Sequence, residues 1–120
     1  MLKTTIQEYD RVTVIRLVGE FYLSSIKDVE IVWEQVLQRK PGVIGIDCKK
    51  LDFIDSSAIG TMVKFLNKSA EKDVRMIFLD LSPSVVRLFD TAKLDRVFSI
   101  TSWKEFMKMY IPEPGPVDKP

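Results

Sequence analysis

Two periodicities alternate along this chain, and the points where one gives way to the other mark its elements. Val12, Val14, Ile15, Leu17 and Val18 make the clearest extended run. A weaker one covers residues 3–8, and Tyr9-Asp10-Arg11 joins the two. So short a link permits only an antiparallel hairpin, because a parallel pair needs a crossover of about a dozen residues. Gly19 marks the end of the second strand or a bulge in it. From Ser24-Ser25 the spacing turns helical. Ile26, Val29, Trp33, Val36 and Leu37 form one apolar stripe over about 25–40, and Pro41-Gly42 end it. Ser25, with Asp28 three residues on, resembles a capping box.

The run Val43-Ile44-Gly45-Ile46-Asp47-Cys48 reads as a strand buried on both faces. Gly45 in its middle predicts the close approach of a helix. Leu51 and Phe53 alternate with Asp52, a short extended segment with one apolar side. Asp55-Ser56-Ser57 then offers side-chain oxygens for a helix N-terminus, and Ile59, Met62, Val63, Leu66 and Ala70 continue at helical spacing. A hydroxyl at the positive end of a helix tolerates an added anion. The plainer alternative is that Ser56 and Ser57 are only caps.

Residues 74–79 read as another buried strand. A helix follows from Pro83, with Ser82 before it and Val85, Leu88, Phe89 and Ala92 on its inner face. Residues 97–100 make a brief last strand. Trp103, Phe106, Met107 and Tyr110 make a last helix, capped by Thr101 or Ser102. The order β-β-α-β-α-β-α-β-α predicts an α/β fold: a mixed, mostly parallel sheet opened by an N-terminal antiparallel hairpin. Residues 1–111 read as one domain and 112–120 as a flexible proline-rich tail.

Composition narrows the chemistry. With 46% hydrophobic residues, 120 residues sustain one core. The 18 basic and 17 acidic residues leave a charge of +1, and no basic run interleaved with aromatics marks a nucleic-acid surface. No apolar stretch approaches the roughly 20 residues of a membrane span, and the N-terminus lacks a signal-peptide layout. A lone cysteine, Cys48, in an apolar strand fits a reducing compartment, the cytoplasm, and a packing role. The absence of histidine removes the usual general base, the commonest metal ligand and the Ser/His and Cys/His dyads.

Carboxylate chemistry stays open. Asp47, Asp52, Asp55 and Asp80 lie near strand ends, as the acids of a phosphorylated receiver domain do. Such a domain begins βαβ with an acidic pair after its first strand, and this chain does neither. A metal site of Asp47, Asp52 and Asp55 is weighed against strand-end capping, the commoner use of such residues. Ser56 has no Gly-x-Ser-x-Gly elbow around it, and the five glycines form no phosphate-binding loop, so neither an enzyme nor a cofactor is expected. What survives is a regulated binding surface. A phosphate on Ser56 would add about −1.5 to −2 charges beside Asp55 and Asp52.

At these residues the chain resembles the STAS domain of bacterial anti-sigma factor antagonists, over about 5–110. Val43-Ile44-Gly45-Ile46-Asp47 with Leu51-Asp52-Phe53-Ile54-Asp55-Ser56-Ser57 is similar to the family's strand and phosphorylation loop. Ile59-Gly60 resembles the start of its second helix. Leu81-Ser82-Pro83-Ser84-Val85-Val86-Arg87-Leu88-Phe89-Asp90, with Leu94, resembles a later helix. The resemblance implies helices packed mainly on one side of the sheet and a non-enzymatic, partner-switching role. The unphosphorylated protein would bind a kinase-type anti-sigma factor and release a sigma factor. That serine kinase, using ATP, would phosphorylate Ser56, and a serine phosphatase would reset it. Tyr22, Leu23, Ser24, Asp55, Ser56 and Ser57 form the partner surface so implied. Two departures stand near it: Ala58 where the family usually has glycine, and Tyr22 where it often has aspartate. They motivate a second reading, a constitutive scaffold of the same fold that is not phosphorylated. A nucleotide-binding STAS domain is a third, weakened by the missing phosphate loop.

Overall fold

The computed structural model describes residues 2–111. They form β1 (Leu2–Glu8), β2 (Val12–Phe21), α1 (Ile26–Gln38), β3 (Val43–Ile54), α2 (Ser56–Glu71), β4 (Arg75–Leu79), α3 (Pro83–Thr91), β5 (Ser99–Thr101) and α4 (Trp103–Tyr110), with single 3-10 turns at Leu23–Ser25 and Leu94–Arg96. The sheet order is β1-β2-β3-β4-β5. The first pair is antiparallel and the others are parallel. This is the mixed sheet that the alternation of elements predicts. The tail expected at 112–120 lies outside the described residues.

Three helices cover one face. Val29, Trp33, Val36 and Leu37 of α1, Ala58, Met62 and Phe65 of α2, and Val85 and Phe89 of α3 pack with Ile15, Leu17, Ile46 and Cys48 of the sheet. Burial of each large side chain there contributes about 1.5–3 kcal/mol. Among the described residues the other face carries α4 as its one helix, whose Phe106 packs with Val12, Val14, Ile77 and Leu79. Gly45 of β3 meets the Phe106 ring directly, the helix approach that its missing side chain predicts. On that same face Asp47 is buried, and its carboxylate accepts from Arg16 Nε at 2.9 Å and from the Lys49 N–H at 3.1 Å.

Several local expectations are corrected. Ser25 makes no side-chain cap. It already has helical backbone, because the turn Leu23–Ser25 leads straight into α1. The two extended segments expected at 43–48 and 51–53 are one strand, β3. Against β2 it carries two bulges: Arg16 pairs Asp47 but Val18 pairs Lys50, and Gly19 pairs Leu51 but Glu20 pairs Phe53. Each bulge inserts an extra residue and flips the in-out alternation. Hence Leu51 and Ile54 are buried while Phe53, expected inside, faces out. Gly19 stands beside the second bulge with φ 109° and does not end β2. At the far end Val97 closes a 3-10 turn rather than starting β5, and Ser102, not Thr101, caps α4 by accepting from the Glu105 N–H at 3.1 Å.

Candidate functional site

β3 outruns its neighbour. Its pairing with β4 stops at Asp47–Leu79, which leaves the far half of β3 without a partner strand on that side. Two serines of the α3 segment take its carbonyls instead. Ser82 Oγ donates to Leu51 O at 3.1 Å, and Ser84 Oγ donates to Asp52 O at 2.9 Å. Ser82 also accepts from the Val85 N–H at 3.5 Å, as the cap before Pro83. The end of β3 is thereby fixed from both sides, by β2 and by α3.

Asp55 leaves that end in extended conformation and caps α2. Its Oδ1 accepts from the Ala58 N–H at 2.8 Å, a bond of the kind worth about 0.5–2 kcal/mol to a helix. Its Oδ2 accepts from the Leu23 N–H at 2.9 Å, and its own N–H donates to Phe21 O at 3.2 Å. Ser56 is therefore the first residue of α2, not its cap. It is exposed, and its hydroxyl has no hydrogen-bond partner among the described residues. Ser57 is half-buried, and its carbonyl accepts from Thr61 Oγ at 3.1 Å. The capping role left open for the two serines belongs to the aspartate before them. Ala58 is fully buried behind them.

Around the free hydroxyl stands an apolar rim. Tyr22 is 39% exposed, Leu23 67% and Phe53 42%. The Tyr22 and Phe53 rings lie 5.6 Å apart, tilted at 56°, and Ser24 is exposed beside them. All six residues of the expected partner surface thus come to one corner of the molecule. Phe53 and Ser84 join them, through the Tyr22 ring and the Asp52 carbonyl, without having been expected in that surface. A bulge turned Phe53 outward, and bulges depend on strand pairing rather than on local pattern.

The remaining carboxylates are dispersed. Asp80 Oδ1 accepts from the Trp103 N–H at 3.0 Å at the start of α4, while Asp47 serves Arg16. Among the described residues no group of three or more acidic or cysteine side chains is assembled to hold a metal ion. Cys48 is fully buried, and its thiol is pushed far up, first by that burial and then by the negative charges of Asp47 and Asp80. It is not a nucleophile. Among the described residues no helix is long and apolar enough to cross a membrane. Surface clefts of about 470 and 390 Å³ lie elsewhere, the first along α1 beside Glu30, Glu34 and Lys64, the second beside the β1–β2 turn.

A family model of the STAS domain matches residues 3–107. Among curated proteins there is no match. An anti-sigma factor antagonist from Mycobacterium paratuberculosis aligns in structure at 19% identity over 83% of this chain and 85% of that one, with a TM-score of 0.76. The anti-sigma factor antagonist SpoIIAA in its unphosphorylated form aligns at 21% identity over 92% and 97%, with a TM-score of 0.76. The Bacillus cell fate determinant SpoIIAA in its phosphorylated form aligns at 21% over 88% and 97%, with a TM-score of 0.69. At these identities the likeness is one of fold.

Proposed function

The chain belongs to the STAS domain family, and we propose that it works there as an anti-sigma factor antagonist controlled by phosphorylation of Ser56. Its unphosphorylated form binds a kinase-type anti-sigma factor in the cytoplasm through Tyr22, Leu23, Ser24, Asp55, Ser56 and Ser57, and so frees a sigma factor. The observation that carries this reading is the Ser56 hydroxyl: exposed, without a hydrogen-bond partner among the described residues, and relieved of capping by Asp55. A hydroxyl with no structural duty can be modified without unfolding the helix it begins.

The protein is the substrate of the transfer and not its catalyst. Ser56 Oγ forms a bond to the γ-phosphorus of ATP. ADP leaves with the electron pair of the broken P–O bond, and the hydroxyl proton passes to a base of the kinase. The product places about −1.5 to −2 charges in the middle of an apolar rim, beside Asp55 and Asp52. A partner seated on Tyr22 and Leu23 then meets a hydrated dianion, and binding is lost. A serine phosphatase restores it. That SpoIIAA is described in both phosphorylated and unphosphorylated forms supports a switch of this kind on the shared fold.

Intact-mass spectrometry with peptide mapping tests it, after incubation with ATP and each kinase-type anti-sigma factor of the same source. One phosphate is expected on Ser56 and none on Ser56→Ala, which still binds the kinase. A stable complex that never transfers phosphate would replace this reading with the constitutive scaffold.

A further inference from the structure

Building on the Ser56 reading, we propose that Asp55 is the positioning residue of the partner surface, holding segment 22–25 in place by its carboxylate, and that a phosphoryl group on Ser56 releases that hold. The two oxygens of Asp55 serve different elements. One accepts from Ala58 within α2 at 2.8 Å, and the other from Leu23, 32 positions away, at 2.9 Å. The second bond is the one that matters for recognition, because the turn it holds carries Tyr22 and Leu23.

The turn is anchored at its ends, where Phe21 O accepts from the Asp55 N–H and Ile26 packs against the core, but between them little else fixes it. None of Leu23–Ser25 is buried. The Ser25 N–H bonds to Tyr22 O at 2.9 Å, which closes the turn on itself without tying it to another element. Among the described residues the Leu23–Asp55 bond is its hydrogen bond to the site, assisted by the tilted packing of Tyr22 on Phe53. A surface held ready in this way binds without first having to be ordered, which raises affinity.

A phosphoryl group on the next residue changes the balance. Consecutive Cα atoms stand about 3.8 Å apart, so the dianion and the Asp55 carboxylate are forced close together. Like charges this near repel, and the carboxylate relieves the repulsion by turning away. Of its two bonds the one to Leu23 is the weaker held, since that N–H lies on an exposed turn where water replaces the carboxylate. The partner therefore loses twice: it meets the phosphate, and it loses a preformed Tyr22–Leu23 edge.

Amide hydrogen exchange by NMR on the full chain tests this, with phosphoserine incorporated at position 56 during synthesis so that no kinase is needed. The Leu23 amide is expected to exchange about tenfold faster than in the unmodified chain, the size of a lost charge-assisted hydrogen bond, with Met62 and Phe65 of α2 unchanged. Asp55→Ser keeps an oxygen for the Ala58 N–H, since serine caps as well as aspartate, but is too short and uncharged to hold Leu23. In that variant Leu23 is expected to exchange fast already, and phosphoserine to add nothing. Leu23 protection unchanged by phosphoserine overturns the proposal by itself, and so does protection unchanged in Asp55→Ser. A kinase screen that leaves Ser56 unmodified counts against the previous reading alone, because here the phosphate is built in.

Discussion

A Cβ on Gly45 would stand 2.8 Å from Cζ of Phe106, and 3.1 Å from Cδ1 of Leu79, with both of those side chains fully buried. The helix that covers that face of the sheet among the described residues is thus seated on a missing side chain. Gly45→Ala is expected to cost about 1–3 kcal/mol through overpacking. A lower urea midpoint at unchanged slope checks it. Combined with Phe106→Leu, the loss should be smaller than the sum of the two single losses, since the second change vacates the space the first one needs.

Ser82 bonds at both ends, to Leu51 O and to the Val85 N–H. Ser82→Ala removes the α3 cap and leaves a strand carbonyl unpaired, for an expected loss of about 1–2 kcal/mol. Ser84, which donates to an exposed carbonyl, lies 3.3 Å from Ser82 Oγ and caps no helix, should cost less. Urea denaturation of the two variants side by side orders them.

The rim aromatics should behave in the opposite way. Tyr22 and Phe53 are each more than a third exposed, so alanine at either costs little stability, about 1 kcal/mol or less. Partner affinity should fall by tenfold or more, as it does at aromatic anchors of an interface, roughly 1–2 kcal/mol each. Calorimetry against the proposed anti-sigma factor partner gives the affinity, and thermal melts give the stability. A variant that loses both equally would mark its ring as core.

Cys48 predicts a pH effect of known sign. Burial, and then Asp47 and Asp80, hold its proton more tightly in the folded chain than in the unfolded one. Stability is therefore unaffected by this group at neutral pH. It falls as pH rises above the ordinary thiol range, because only the unfolded state then gives up the proton, by at most about 1.4 kcal/mol per pH unit. A thiol-reactive dye at pH 8 should leave the native protein unlabelled and label it fully in denaturant. The Cys48→Ala variant should lack the alkaline loss.

Local chemistry was legible in the sequence, and contacts across the fold were not. Gly45, the Ser82-Pro83 start of α3 and the helix beginning at Asp55-Ser56 could be read because each depends on a few adjacent residues. The expected Ser25 cap failed, since a 3-10 turn ahead of α1 had already given that residue helical backbone. Phe53 was read as inward-facing because alternation assumes an unbroken ladder, and a bulge at Asp52 broke it. The candidate site divides in the same way. Its serine stood out in the sequence, whereas the Asp55–Leu23 bond joins segments that only pairing of β2 with β3 brings together.

Sheet order here is also the order of synthesis. A chain leaving the ribosome can add each strand to the growing edge, and no strand has to be inserted between two already paired. The parallel additions of β3 and β4 join residues about 30 positions apart, as Val12 with Val43 and Val43 with Arg75, and long-range pairing of this sort slows folding. One face also waits: Val12, Val14, Ile77 and Leu79 are covered by α4, the last helix among the described residues. Until Phe106 arrives over Gly45, the nascent protein carries an apolar sheet face open to chaperones.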